Sequence, residues 1–163
     1  MMSLFAFAAL LAVPAPSAVS PEVVIAAGKW AALREAGRCE AASLALLVAR
    51  AGARPARLSI GFTPELGAAV HLRRAVPDGS TVMLEAGGQS FLLKNRGDRA
   101  WSRGPDQAKA IVAAMRSGGY VRIRARDGQG RRFTEQFALD GAPTAIDAAA
   151  ACTLLLANGA KSG

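Results

Sequence analysis

Apolar and polar residues alternate along much of the chain, which is typical of strands that bury one face. The alternation runs through ARLSIGF (56–62) and AAVHLRRAV (68–76), where an arginine pair at 73–74 interrupts it. The residues PDGS (77–80) then predict a turn. Upstream, residues 41–49 fit a helix or a strand by periodicity, and the short apolar run SLALLVA favours a strand.

Two hairpins are predicted further along the chain. STVMLE and QSFLLK flank residues 86–88, while YVRIRAR and RRFTEQFAL flank residues 127–130. Each connection holds two glycines, which can take the positive φ angles that tight hairpin turns demand. The apolar residues expected to share the buried faces are Val82, Leu84, Phe91 and Leu93 in the first hairpin, and Val121, Ile123, Ala125, Phe133, Phe137 and Leu139 in the second.

A helix is predicted between the hairpins, from Pro105 to the Ser117-Gly118-Gly119 stop. Its apolar stripe recurs at i, i+3, i+4 and i+7, and comprises Ala108, Ile111, Val112 and Met115.

A second helix is predicted at the C-terminus, beginning at Pro143 and Thr144 and ending at 158–159. Thr144 and Asp147 have the spacing of a capping box. The expected inward stripe is Ile146, Ala150, Thr153, Leu154 and Ala157.

These elements predict a mainly β fold, an antiparallel β-sandwich with one mid-chain and one C-terminal helix. The 163 residues suffice for one domain, which we place at 21–163. Residues 1–20 have the layout of a secretory signal peptide, because the short apolar run from Leu4 to Val13 is followed by prolines and small residues. The usual basic residue ahead of the apolar run is missing. No later segment has the length and apolarity of a membrane span, so we expect none in the mature chain.

The interpretation of the two cysteines depends on whether the protein is exported. Cys39 and Cys152 are separated by 113 residues, and a cysteine pair in an oxidising compartment usually forms a disulfide. The alternative is a catalytic thiol at Cys39 served by the single histidine, His71. A nucleophilic cysteine needs a placed base and usually an orienting group, which the sequence around His71 does not indicate.

The formal net charge is +8, and the most notable cluster of basic residues lies in the second hairpin. Arg122, Arg124 and Arg126 alternate along one strand and so point to one face, and Arg132 follows the turn. These four residues are a candidate patch for an anionic ligand. Alternatively, they are solvated charges that discourage edge-to-edge pairing of sheets, and the overall arginine content reflects coding bias.

No motif for catalysis, cofactor binding or metal binding is found. The sequence lacks GxSxG, Walker, HExxH and CxxC patterns, and its acids are scattered singly. We therefore predict no catalytic residues, no metal and no cofactor. Trp101 precedes the first helix and is interpreted as a core plug, with a binding platform as the alternative.

Several features together resemble the invasion-associated locus B family of exported alphaproteobacterial proteins. They are GKW at Trp30, RCEA at Cys39, AIVAAMRSGG in the first helix, and the ending FALDGAPTAIDAAAAC. The resemblance implies an all-β sandwich exported to the periplasm or outer envelope, with no established enzymatic activity; some members are linked to host-cell entry. Many members have more than two cysteines, and Cys39 and Cys152 match the first and last positions in kind.

We therefore expect an exported, non-enzymatic envelope or periplasmic protein that acts by binding or as a structural component. The expected partner is an anionic envelope surface, presented by lipid head groups or acidic glycan, or another envelope protein. Nucleic acid is not expected, since aromatic residues for base stacking are scarce near the arginines and the chain carries an export signal. The alternative is a small periplasmic enzyme, or an enzyme inhibitor, without a recognisable motif.

Overall fold

The structure is a computed structural model that describes residues 20–46, 54–62 and 65–160. The predicted signal peptide therefore lies, except for Ser20, outside the described residues. Within these ranges the chain forms nine strands and two helices. They are β1 (Glu22–Ala27), β2 (Trp30–Glu35), β3 (Arg38–Leu44), β4 (Arg57–Gly61), β5 (Gly67–Val76), β6 (Val82–Ala86), β7 (Gln89–Trp101), α1 (Pro105–Arg116), β8 (Tyr120–Arg126), β9 (Arg132–Ala138) and α2 (Ala142–Gly159).

All strand pairs are antiparallel, in the order β1-β2-β3-β4-β5-β7-β6-β8-β9. The long strand β7 pairs with β5 near its end and with β6 near its beginning, so it belongs to both halves of the sheet. The halves fold over each other, since Arg73 on β5 contacts Glu135 on β9 and the Leu46 N–H donates to the Gln136 carbonyl. The predicted antiparallel β-sandwich with two helices is confirmed.

Alternating apolar residues form the core between the halves, as the sequence predicts. Leu58 and Ile60 on β4 are completely buried. In the first hairpin the inward pairs are Val82 with Leu93 and Leu84 with Phe91, and in the second they are Val121 with Phe137 and Ala125 with Phe133. Gly87 and Gly88 connect the first hairpin with positive φ angles, as its tight turn requires.

The beginning of the domain differs from the prediction. Sequence patterns gave no strands for β1 and β2, because their alanine-rich, continuous apolar runs lack a clear period. The strand predicted within 41–49 is β3, which begins earlier, at Arg38; residues 47–53 lie outside the described residues. Strand β5 continues through the arginine pair at 73–74, with a register shift between His71 and Val76.

Helix α1 has the predicted bounds, with Gly104 before it and Pro105 in its first turn. Its buried residues include Ala108, Ile111 and Met115 as predicted. Ala114 is buried in place of Val112, which is only partly buried. The helix packs against β5, β6, β7 and α2.

Helix α2 begins at Ala142, and its predicted inward face is only partly correct: Ile146 is buried as predicted, whereas Leu154 and Ala157 are exposed. The buried residues are Ala142, Ala145, Ile146, Ala149 and Cys152, while Leu154 is exposed. The stripe is rotated because α2 packs on β1, β2 and β3 through small side chains and brings Cys152 to β3. Larger leucines would hold the helix farther from the sheet, so they face solvent.

The predicted capping box at the start of α2 does not form. The Asp147 carboxylate accepts a hydrogen bond from Nη2 of Arg116 at 2.6 Å instead of capping the helix. Gly141 occupies the N-cap with φ +82°, and an added Cβ would lie 1.8 Å from the Ala27 carbonyl oxygen. The close approach of backbone to backbone determines this helix start, and only glycine fits there.

The two tryptophans differ in burial, and Trp101 does not have the position predicted for it. Trp101 is 39% exposed at the end of β7, so the prediction that it is a core plug is wrong. Trp30 is buried instead, and its Nε1–H donates to the Ala138 carbonyl at 2.8 Å. A buried indole needs such a partner for its N–H, and this bond ties β2 to the end of β9.

Candidate functional site

The two cysteines form a disulfide, as the sequence predicts. Cys39 at the start of β3 is bonded to Cys152 in α2, with a Cα–Cα distance of 6.0 Å. Both residues are buried. The bond attaches the C-terminal helix to the first half of the sheet and closes a loop across most of the domain.

His71 is not placed to serve a thiol at Cys39. The two residues lie on opposite faces of the sheet, because Cys39 shares the inward face of Ala41 whereas His71 pairs with Arg57 on the outward face. His71 Nε2 instead lies 2.7 Å from Oδ2 of the exposed Asp98. This hydrogen bond lowers the pKa of Asp98, and it outweighs the raising effect of desolvation.

The four predicted patch arginines all lie exposed on the outward face of β8 and β9. Arg122, Arg124 and Arg126 alternate with buried residues along β8, and Arg132 lies directly opposite Arg126 on β9. We call the outward face of β6, β8, β9 and the first part of β7, up to Lys94, the basic face. Its charged side chains are Arg122, Arg124, Arg126, Arg132, Lys94 and Glu85.

A groove of about 690 Å³ runs over one end of the basic face, and we call it the hairpin groove. It brings together Arg124, Arg126 and Arg132 with Ser80 and Thr81, which precede β6. Met83, Ala125, Phe133 and Thr134 complete the lining. The structure thus groups three of the four predicted arginines in one concave site.

Arg122 faces a neighbouring groove of about 460 Å³ instead. This second groove also holds Tyr120, Glu85 and the backbone around Gly87 and Gly118. Arg122 lies opposite Glu85 on β6 and Gln136 on β9. The patch predicted as one unit is therefore two adjacent sites.

Asp127 organises the end of the hairpin, a role that the sequence prediction missed. Oδ1 accepts the backbone N–H groups of Gln129 and Arg131, both at 3.0 Å. Oδ2 accepts Nε of Arg131 at 2.9 Å and Nη1 of Arg74 at 3.3 Å. Desolvation raises the pKa of Asp127, but the hydrogen bonds from Arg131 and Gln129 outweigh it, so that the pKa is lowered. The sequence signal for this role was an aspartate at the first position of the turn, where its side chain commonly accepts backbone N–H groups.

The core holds a carboxylate that the sequence prediction also missed. Glu135 occupies the inward position between Phe133 and Phe137 on β9 and is completely buried. Nε of Arg73 lies 2.9 Å from its Oε1, but neither carboxylate oxygen has an aligned hydrogen bond among the described residues. Burial raises the pKa of Glu135, while Arg73 and Arg74 lower it in part.

The outward face of β1 to β3 has a different character. A groove of about 680 Å³ lies there, lined by side chains that include Ala31, Leu33, Leu44 and Leu46. Its cations are Lys29 and Arg57, and Arg57 is paired with Glu40. This apolar face does not have the chemistry of an anion site, which leaves the basic face as the candidate for an anionic ligand.

Among residues 20–46, 54–62 and 65–160, no group of three histidine, cysteine or carboxylate side chains is placed to hold a metal ion. No helix in the same ranges is long and apolar enough to cross a membrane.

No protein-family model matches the chain, and no curated protein matches it in sequence. The crystal structure of invasion associated protein B from Bartonella henselae is similar in three dimensions, with a TM-score of 0.62 and 15% sequence identity. The similarity covers 82% of this chain and 97% of the other. The chain therefore has the fold of invasion associated protein B, in agreement with the resemblance seen in the sequence.

Proposed function

We propose that this chain is an exported envelope or periplasmic protein that is not an enzyme and that binds an anionic surface through its basic face. The observation that carries the proposal is the charge balance of that face. Five cationic side chains, Lys94 and the four patch arginines, stand there against one acid, Glu85. Nη1 of Arg124 lies 3.1 Å from Oε1 of Glu85, and this pair leaves four cations without an acid on the same face.

Such a surface is costly for the free protein. Like charges directly opposite each other in a sheet are destabilising, and Arg126 and Arg132 are such a pair. An anionic partner would offset this repulsion and would be attracted over a distance of about 8–10 Å at ordinary salt. Because Arg126 and Arg132 repel each other in the free protein, their placement favours a binding role for this face over a purely structural one.

The N-terminal pattern and the disulfide support export. The apolar run before Pro14, followed by small residues, has the layout of a signal peptide. A disulfide between Cys39 and Cys152 persists in an oxidising compartment such as the periplasm. The fold likeness to an invasion-associated protein is compatible with an envelope location, and we propose no role in invasion for this chain.

The test is binding to anionic and neutral vesicles and to an acidic glycan, measured at several salt concentrations. The wild-type protein is expected to bind the anionic surfaces, more weakly as salt rises, and not the neutral vesicles. The variant with all four patch arginines changed to glutamine is expected to lose this binding. A matched control changes four arginines outside the basic face, Arg34, Arg38, Arg54 and Arg116, to glutamine, and it is expected to keep most of the binding. Equal binding by the wild-type and patch variants would contradict the proposal.

Export has its own test. An intact mass of the protein recovered from fractionated cells, compared before and after reduction, should show a shortened N-terminus and the loss of two hydrogen atoms from the cysteines of the unreduced protein. A full-length chain with two free thiols would contradict export.

A further inference from the structure

The cations of the basic face are not equivalent. Arg124 is paired with Glu85. Arg126 donates from Nη1 to the Gly130 carbonyl at 3.1 Å, and within the described residues neither it nor Arg132 makes an ion pair. Two of the four unpaired cations, Arg126 and Arg132, therefore lie at the end of the hairpin, directly opposite each other in the strand pair.

Hydroxyl groups line the same groove. Ser80 and Thr81 lie next to the arginines in the lining. Oγ of Ser80 is buried and has no hydrogen-bond partner among the described residues. Buried hydroxyls normally have a partner, so one that lacks it requires an explanation. Rotation of the Ser80 side chain toward the groove would let a ligand there accept a hydrogen bond from this hydroxyl.

The groove is held in shape by neighbouring contacts. Asp127 accepts two backbone N–H groups and two arginine side chains, and this fixes the turn between β8 and β9. Its charge is directed at Arg131 and Arg74 rather than at the groove. The Ser80 N–H donates to the Pro77 carbonyl at 3.0 Å, which closes the turn on the opposite side. Rigid elements on both sides lower the entropy lost when a ligand binds.

We infer that the hairpin groove is a binding site for a phosphate group, held by Arg126 and Arg132 together and by the Ser80 hydroxyl. Guanidinium groups match the oxygen geometry of phosphate and form charge-assisted hydrogen bonds with it. A phosphate has enough acceptor oxygens to satisfy two guanidinium groups and one hydroxyl at once, whereas a carboxylate has two oxygens. The inference rests on the proposed function and deepens it, because it names the ligand chemistry and places the site at one end of the basic face.

The phosphate could belong to a lipid head group, a phosphorylated glycan or a free anion. Titration of the oxidised full chain with inorganic phosphate, followed by amide NMR shifts and calorimetry, tests the shared chemistry. Acetate at the same ionic strength is the comparison for a carboxylate. Two further titrations, one with phosphatidylglycerol vesicles and one with a sugar phosphate, then distinguish a lipid head group from a phosphorylated glycan.

The variant R126Q/R132Q is expected to weaken phosphate binding at least about tenfold, since charge-assisted hydrogen bonds are the strong ones. The matched control is R38Q/R54Q, which removes two exposed cations outside the basic face and is expected to change the affinity less than about twofold. Ser80→Ala should weaken binding several-fold without altering the fold. Phosphate should bind more tightly than acetate, with the largest shifts at residues 80–83 and 124–134.

Equal losses in R126Q/R132Q and R38Q/R54Q would overturn the inference, as would equal affinities for phosphate and acetate or the absence of phosphate binding. These failures are distinguishable from failure of the proposed function. If the four-arginine variant loses binding to anionic surfaces while R126Q/R132Q behaves like R38Q/R54Q, the basic face binds anions without a phosphate site. If the four-arginine variant binds like wild type, both proposals fail.

Discussion

Nε of Arg73 on β5 lies 2.9 Å from Oε1 of Glu135 on β9, and this ion pair joins the two halves of the sandwich through the core. Glu135 is completely buried, whereas the Arg73 side chain is 21% exposed. Removing one member of a buried pair leaves an uncompensated charge, while replacing both with apolar residues is often neutral. The two residues therefore depend on each other.

Arg73→Met is expected to lower the free energy of unfolding by about 3–5 kcal/mol, because it strands the Glu135 carboxylate. The double variant R73M/E135L should recover most of this loss. Urea unfolding followed by circular dichroism measures both. The control is Arg34→Met, which breaks an exposed pair with Glu22 and should cost about 1 kcal/mol or less. If the double variant lost as much stability as the two single variants together, the two residues would not be coupled.

The raised pKa of Glu135 predicts a pH dependence with a definite sign. The folded state holds this proton more tightly than the unfolded state, where glutamate titrates at about 4.3. The stability contribution is thus fully present below the unfolded pKa and is lost as pH rises through the folded pKa. The unfolding free energy of the wild type minus that of Glu135→Gln should therefore decline as pH rises across the acidic range. A flat difference would contradict the prediction.

Asp127 should behave in the opposite way, because its folded pKa is lowered. Its contribution is present above the unfolded pKa, about 3.9, and is lost as pH falls through the lower folded value. Asp127→Asn should therefore destabilise the protein at neutral pH and lose this disadvantage in strong acid. The unfolding midpoints of the wild type and Asp127→Asn, compared across the acidic pH range, measure this difference in stability. A disadvantage for Asp127→Asn that persists unchanged in strong acid would contradict the assignment.

The later strands and α1 were predictable because their signals are local. Alternation places Val121 and Ile123 inward on β8, and the Gly87-Gly88 pair fixes one turn. Strands β1 and β2 were not predictable, since alanine-rich runs have weak periodicity and pair only in the tertiary structure. The inward face of α2 depends on the disulfide and on the Gly141–Ala27 approach, and both are contacts between distant residues.

The candidate site was predictable only in its charges. Strand alternation placed Arg122, Arg124 and Arg126 on one face, but it did not show that Arg122 would lie in a separate groove. Ser80 comes from a turn 46 residues before Arg126 in the chain, so only the β6–β8 pairing brings the two together. Alternation puts position 135 on the same inward face as Phe133 and Phe137, but an acid there breaks the apolar pattern, and no local signal identifies Arg73 as its partner.

The Cys39–Cys152 bond is expected to contribute up to about 4–5 kcal/mol to stability, as its closed loop of 113 residues restricts the unfolded chain. The double variant C39S/C152S should unfold at a correspondingly lower urea concentration. Reduction of the wild-type protein before unfolding is the matched control, and it should give nearly the same loss. A loss in the variant without one on reduction would point to packing by the sulfur atoms.

Gly141→Ala is expected to be among the most destabilising small substitutions. The new Cβ would meet the Ala27 carbonyl oxygen at 1.8 Å, in a backbone conformation with φ +82° that already disfavours alanine. Gly79→Ala is the matched control, because its φ is +73° and nothing lies within 4 Å of an added Cβ. The control should cost about 1–2 kcal/mol from the left-handed conformation alone. The larger cost at Gly141 measures the clash between the start of α2 and the β1–β2 turn. Equal losses at the two sites would show that the helix can shift away from β1 freely, contrary to the tight packing of α2 described above.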